Sequence, residues 1–205
     1  MQMIAPYLIA AFMAAFTFFY LRQLFSKKSS PTLSMFVIFS TGTLLSLLTY
    51  LSTPNTSLVA GALNATDFLS VLTVAVCIYI RSPDKKLVFQ SFEKKYLLAT
   101  AGIVAYWAVT GEALIANVLI QIIIALGYPP TIEKLWKAKR NTEPFAGWIC
   151  VVCANITSLI PALERRDGLA TLYATRSLTL TLLMLSIMLF WSVKTRKALQ
   201  TTQEL

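Results

Sequence analysis

Seven apolar stretches, each bounded by charged residues, Pro or Asn, make up most of this chain of 205 residues. A helix needs about 20 residues to cross the hydrocarbon core of a bilayer. Charged residues form only 13% of the chain, about half the share of a soluble domain and too few to cover a water-exposed surface. The chain is therefore predicted to be an all-α, multi-pass integral membrane protein. The predicted spans are residues 4–24, 33–51, 58–80, 96–110, 113–135, 145–163 and 169–193.

The basic residues are divided unequally between the loops. Three lie near the loop after the first span, five after the third, four after the fifth and three in the C-terminal tail, so 15 of the 18 Lys and Arg residues fall on one side. Because cytoplasmic loops are rich in Lys and Arg, the N-terminus is predicted outside and the C-terminus inside, in a plasma (inner) membrane. The net charge of +9 then reports topology and does not indicate nucleic-acid binding.

Two pairs of segments align at a spacing of about 110 residues. Residues 21–39 (LRQLFSKKSSPTLSMFVIF) match residues 132–150 (IEKLWKAKRNTEPFAGWIC), and residues 62–73 (ALNATDFLSVLT) match residues 171–182 (TLYATRSLTLTL). Such spacing predicts two parallel three-helix repeats, joined by a short fourth helix that inverts the chain. The predicted units are a first bundle at 1–92, a linker helix at 93–111, and a second bundle with the basic tail at 112–205.

Residues 129–148 (PPTIEKLWKAKRNTEPFAGW) resemble the signature of the PQ-loop superfamily, which includes SWEET sugar transporters, cystinosin-like amino-acid exporters and the KDEL receptor. The family Gln is replaced by Thr131, and the first repeat has Phe19 and Tyr20 in place of Pro-Gln. The resemblance implies a seven-helix carrier of a small polar solute, a sugar or an amino acid, working by alternating access. The matching positions are Pro130, Ile132, Lys134, Trp136, Lys137, Lys139 and Thr142.

Pro129 and Pro130 lie near the end of the fifth predicted span. Each lacks an N–H, and its ring clashes with the carbonyl four residues earlier. The pair is predicted either to kink the span or to end it at the entrance of the basic loop. The resemblance to SWEET transporters implies that the two prolines form a gating hinge.

Two charges are predicted inside the membrane, Asp67 in the third span and Arg176 at the aligned position in the seventh. Asp67 lies about nine residues into its predicted span, roughly 14 Å along the helix. A lone charge at such depth is costly, so an Asp67–Arg176 ion pair is one prediction. The alternatives are a substrate clamp, a proton-coupling carboxylate, or an Arg176 side chain that reaches the outer interface.

Four uncharged residues complete the predicted binding site. Asn64 lies one turn from Asp67 and aligns with Tyr173, and the resemblance to SWEET transporters adds Trp148 and Asn155 on the sixth span as companions. An Asn, a Tyr and a Trp can hydrogen-bond and stack on a polar solute. The alternative role is to hold helices together, which such side chains commonly do in lipid. Asn117 and Gln121 are weaker candidates.

Other function classes find little support in the sequence. There is no His, and the three Cys lie in apolar runs, so neither catalytic residues nor a metal site or cofactor is predicted, and a membrane-embedded lipid enzyme is the least favoured class. A non-transporting receptor or assembly protein stays open as the main alternative. The predicted partners are the lipid bilayer and a small polar solute, and the chain is compatible with a homo-oligomer.

Overall fold

A computed structural model of the protein describes residues 4–26, 33–54, 56–81, 89 and 91–203, and all regular secondary structure in this part is helical. The predicted all-α class is confirmed. Lys27, Lys28, Lys85 and Lys86, and the Ser29 and Ser30 turn of the first motif copy, lie outside the described residues. The helices are α1 (Ala5–Phe25), α2 (Leu33–Leu51), α3 (Ala62–Arg81), α4 (Ser91–Thr110), α5 (Ala113–Ala125), α6 (Pro129–Ala138), α7 (Phe145–Glu164) and α8 (Gly168–Gln203).

Four stretches of helix are long and apolar enough to cross a membrane, namely Ala5–Phe25, Ala62–Arg81, Phe145–Glu164 and Gly168–Arg196. Two further apolar helices are shorter, Met35–Leu51 and Ala113–Ala125. Many large apolar side chains on these helices are exposed, among them Tyr7, Leu69 and Ile122. An exposed apolar surface of this extent fits contact with lipid and is consistent with an integral membrane protein.

The fifth predicted span is not one helix. It is interrupted between α5 and α6, where the Tyr128 N–H bonds to the Ala125 carbonyl at 3.2 Å. This bond satisfies a carbonyl that Pro129 cannot reach, since proline has no N–H. Pro129 and Pro130 occupy the first positions of α6, where a missing N–H costs a helix nothing. The prolines therefore start a new helix after a break and do not kink a continuous one.

The helices pack in pairs that recur in the two halves of the chain. In the first half, formed by α1–α3, α3 packs against both α1 and α2. In the second half, formed by α5–α8, α8 packs against both α5 and α7. The halves meet where α1 packs on α7 and where α2 packs on α5, and α4 packs beside α2 and α5.

Hydrogen bonds identify the two ends of this bundle. At one end, called the basic end, Arg81 at the end of α3 donates to the Phe25 carbonyl at the end of α1. Thr195 near the end of α8 donates to the Lys139 carbonyl after α6 at 3.5 Å at the same end. The opposite end holds the α2–α3, α4–α5 and α7–α8 connections. Helices α1, α3 and α6, which precede the basic loops predicted to be cytoplasmic, end at the basic end.

A glycine before α3 leaves room for the Tyr50 ring. A Cβ at Gly61 would lie 2.5 Å from Tyr50 Cε1, and the ring cannot yield easily because Tyr50 is buried. We expect Gly61→Ala to destabilise the protein by about 1–3 kcal/mol through overpacking. Gly102→Ala is the matched control, since nothing lies within 4 Å of a Cβ there, and it should stabilise α4 by about 0.5–1 kcal/mol. Thermal unfolding of the purified protein in detergent measures both, and an equal response to the two substitutions would contradict the steric account.

Candidate functional site

A central cavity lies between the two halves of the chain and is lined from α1, α2, α3, α5, α6, α7 and α8. Asp67, Arg176 and Ser177 line it together with a largely apolar wall. Its volume is about 70 Å³, roughly half that of an engineered cavity that binds benzene. A solute as large as a sugar or an amino acid therefore requires the surrounding helices to separate. The apolar wall consists of Phe16, Phe36, Phe39, Val71, Ile124 and Val151.

Asp67 and Arg176 both line the central cavity, but the direct ion pair between them is not formed in the described part of the chain. Instead the Tyr173 hydroxyl donates to Asp67 Oδ2 at 2.5 Å, and the Arg176 guanidinium lies 4.9 Å from the centre of the Tyr173 ring. Arg176 Nε donates to Gln121 Oε1 at 2.9 Å. Tyr173 thus stands between the two charges, and the Arg176 guanidinium is held against Tyr173 and Gln121.

The depth predicted for Asp67 changes with the start of its helix. Because α3 begins at Ala62 and not at residue 58, Asp67 lies about 8 Å along the helix and not 14 Å. Arg176 lies further along its helix, about 12 Å from the start of α8 at Gly168. The two charges are therefore carried on early turns of α3 and α8, toward the opposite end of the bundle.

A polar layer, formed by Ser46, Thr49, Asn64, Asn117 and Gln121, connects α2, α3 and α5 behind the cavity. Gln121 Nε2 and Asn64 Nδ2 both donate to Ser46 Oγ, at 2.7 and 3.1 Å. Asn117 Nδ2 donates to Thr49 Oγ1 at 2.9 Å. All five residues are buried, so these bonds satisfy groups that lipid could not. Asn64 therefore acts as a link between α3 and α2, which is the alternative role considered for it in the sequence.

The other predicted site residues fall into different surroundings. Trp148 lines the central cavity, and its Nε1 is buried without a hydrogen-bond partner among the described residues. Tyr173 and Asn64 line a separate pocket of about 10 Å³ toward the opposite end. Asn155 is fully buried in α7 and donates to the Val151 carbonyl of its own helix. The central cavity thus brings together Asp67, Arg176 and Trp148, and it does not include Asn64, Tyr173 or Asn155.

Glu143, which the sequence analysis did not single out, meets Tyr20 at the basic end of the cavity. Tyr20, which lines the cavity, donates to Glu143 Oε2 at 2.9 Å. Lys134 Nζ forms an ion pair with Glu143 Oε1 at 3.1 Å. This basic-end cluster, Tyr20, Lys134 and Glu143, joins the end of α1 to α6 and to the start of α7. Because Glu143 precedes Pro144 in a loop with a basic run, nothing in its sequence context indicates burial.

A second tyrosine and carboxylate meet at the opposite end. Tyr50, near the end of α2, donates to Asp167 Oδ2 at 2.5 Å. The other oxygen of Asp167 accepts the Ala170 N–H at 2.9 Å, so Asp167 caps the N-terminus of α8 as well. The opposite-end bond between Tyr50 and Asp167 therefore ties α2 to the α7–α8 connection.

Comparison of the chain with protein-family models, curated proteins and solved structures found no match. Within the described ranges, no three Cys, Asp or Glu residues are grouped so that they could hold a metal ion. The geometry of the cavity and of its two ends is therefore the basis for a functional proposal.

Proposed function

We propose that the protein is a membrane transporter that moves a small polar solute by alternating access. One observation carries the proposal: three tyrosine–carboxylate hydrogen bonds join the two halves of the chain, one at each end and one beside the central cavity. They are Tyr20–Glu143, Tyr50–Asp167 and Tyr173–Asp67. Each single bond contributes only about 1–3 kcal/mol, so one end can open while the other stays closed.

A seven-span arrangement of two parallel three-helix repeats is part of this proposal. The packing supports it, because exchanging α1 with α5, α2 with α7 and α3 with α8 converts each main helix pair into another observed pair. Tyr20 and Thr131 align at an offset of 111 residues and each bonds to the start of a helix in the other half. Thr131 Oγ1 contacts Met35 Sδ at 2.9 Å, which parallels the Tyr20–Glu143 bond.

The proposed mechanism places the moving joint at the break between α5 and α6. Residues 126–128 connect the helices through short-range turns and not through a continuous helix ladder. A Cβ at Gly127 would lie 2.9 Å from Phe39 Cζ, so the turn sits close against α2 and the cavity wall. In the proposed orientation, the basic end faces the cytoplasm because it carries most of the basic residues. The resemblance to the PQ-loop superfamily supports the same assignment.

Labelling of a single cysteine in the cavity tests alternating access. Ser177 lines the central cavity, so Ser177→Cys, in a chain whose three cysteines are replaced by Ser, reports the side from which the cavity opens. Removing the Tyr20 hydroxyl (Tyr20→Phe) should raise labelling by a membrane-impermeant thiol reagent about fivefold from the basic end, since one lost bond shifts the equilibrium by about 1 kcal/mol. Tyr50→Phe should raise labelling from the opposite end by a similar factor.

Controls and contrary outcomes are well defined for this experiment. Tyr7→Phe, at a residue that is 78% exposed, should change labelling from neither side. Glu112→Cys and Lys137→Cys, both exposed, report the sidedness of the vesicles. If both phenylalanine variants raise labelling from the same side, the protein has a one-sided cavity, as a receptor would, and the transport proposal fails.

A further inference from the structure

We infer that the central cavity binds a small zwitterion with an apolar body, its carboxylate on Arg176 and its ammonium group on Asp67. The chemical class is that of an apolar α-amino acid. The inference rests on the proposed transport function and specifies the solute. It follows from three features of the cavity: its unsatisfied donors, its two separated charges and the composition of its wall.

The unsatisfied polar atoms of the cavity are both donors. Among the described residues, two cavity-lining side chains have a buried nitrogen without a hydrogen-bond partner, Arg176 Nη1 and Trp148 Nε1. Neither an indole nor a guanidinium can accept a hydrogen bond. Leaving such groups unpaired in a buried site is unfavourable, and more so for the charged one. A ligand that satisfies them must bring acceptors, and a carboxylate is the strongest partner for a guanidinium.

The charges of the cavity call for both signs on the ligand. Asp67 and Arg176 line the same cavity without forming an ion pair, because Tyr173 and Gln121 hold each in place. A ligand with a carboxylate alone would pair Arg176 and repel Asp67. A zwitterion supplies an opposite charge to each residue, so that both charges are paired inside the membrane.

The wall of the cavity determines the rest of the ligand. Away from the two charges, Phe16, Phe36 and Phe39 line the cavity toward the basic end, with Val71, Ile124 and Val151. A sugar carries hydroxyl groups around its whole ring and would lose hydrogen bonds against this wall. An apolar side chain gains from burial there instead. The polar head and the apolar body of the ligand thus match the two regions of the cavity.

Binding of matched compounds to the purified protein tests the inference. The probes are L-leucine, L-leucinamide, which lacks the carboxylate, 4-methylpentanoate, which lacks the ammonium group, and glucose. Calorimetry and thermal shift in detergent should detect leucine binding. Leucinamide and 4-methylpentanoate should bind more weakly by about tenfold or more, because each leaves one buried charge unpaired. Glucose should give no shift.

The Asp67→Asn variant is expected to change ligand selectivity and not to abolish binding. Asp67→Asn should bind leucine and 4-methylpentanoate equally well, since the ammonium group then has no carboxylate partner. Arg176→Gln should lose leucine binding, and Arg176→Lys, which keeps the charge, should retain part of it. Equal binding of leucine and leucinamide to the wild-type chain would overturn the carboxylate contact, and binding of glucose without leucine would overturn the solute class.

The two proposals can fail separately. Leucine binding with the predicted selectivity, combined with one-sided labelling of Ser177→Cys, would support the zwitterion site and overturn transport. Labelling that alternates between the two ends, combined with glucose binding and no leucine binding, would support transport and overturn the zwitterion site.

Discussion

Lys134→Ala is expected to destabilise the protein by about 2–3 kcal/mol, less than the loss of one partner from a fully buried ion pair, because the Lys134 side chain is 28% exposed. The Glu143 side chain is only 1% exposed, and the substitution leaves its charge with the Tyr20 hydroxyl as its remaining side-chain partner. Unfolding of the purified protein in mixed micelles measures the change in free energy.

The chain provides a matched control one turn further along α6. Lys137 pairs with Glu133 at 2.6 Å, but the two side chains are 76% and 64% exposed. Exposed pairs contribute about 0–1 kcal/mol, so Lys137→Ala should have little effect. Adding Glu143→Gln to Lys134→Ala should recover part of the loss, because it removes the uncompensated charge. Equal effects of the two lysine substitutions would show that Glu143 is not stabilised by Lys134.

Gln121→Leu is expected to destabilise the protein by about 3 kcal/mol, since it removes the acceptor of a buried, charged donor. Gln121 accepts from Arg176 Nε at 2.9 Å and donates to Ser46 Oγ at 2.7 Å, so it connects the polar layer to the cavity. Combining Gln121→Leu with Arg176→Met should recover part of the loss, because the charged donor that lost its acceptor is then removed as well. Additive effects of the two substitutions in a double-mutant cycle would contradict the contact.

A leucine substitution at an exposed position is the control for Gln121→Leu. Thr179 is exposed on α8, and its hydroxyl bonds only to the Thr175 carbonyl of its own helix at 2.9 Å. Thr179→Leu should therefore change the free energy of unfolding by less than about 0.5 kcal/mol. If it destabilises the protein as much as Gln121→Leu, the effect reflects added apolar bulk and not the lost contact with Arg176.

Hydropathy and proline positions were sufficient to predict most of the helices. The predicted spans at 33–51 and 145–163 agree with α2 and α7 to within one residue. Other predicted boundaries were wrong because a helix can extend beyond its apolar stretch into water. Helix α4 begins five residues before the predicted span, and α8 continues into the basic tail. Pro129 and Pro130 marked a discontinuity correctly, but whether a helix kinks or restarts depends on which N–H groups satisfy the freed carbonyls.

The sequence also identified the two charges of the central cavity, because a charged residue within an apolar span is rare and costly. It did not identify their partners. Tyr173 and Gln121 were named as candidate site residues, but their contacts with Asp67 and Arg176 span 106 and 55 residues of chain and could not be predicted from local sequence.

These contacts could not be predicted from the sequence because lipid and the protein interior are equally apolar. In a soluble helix the polar face reveals which side meets water, and the apolar face then points to the core. In a membrane helix both faces are apolar, so the sequence determines the position of each helix along the chain but not its rotation. Only the tertiary packing turned Asp67 toward Tyr173, Arg176 toward Gln121, and Glu143 into the interior beside Tyr20 and Lys134.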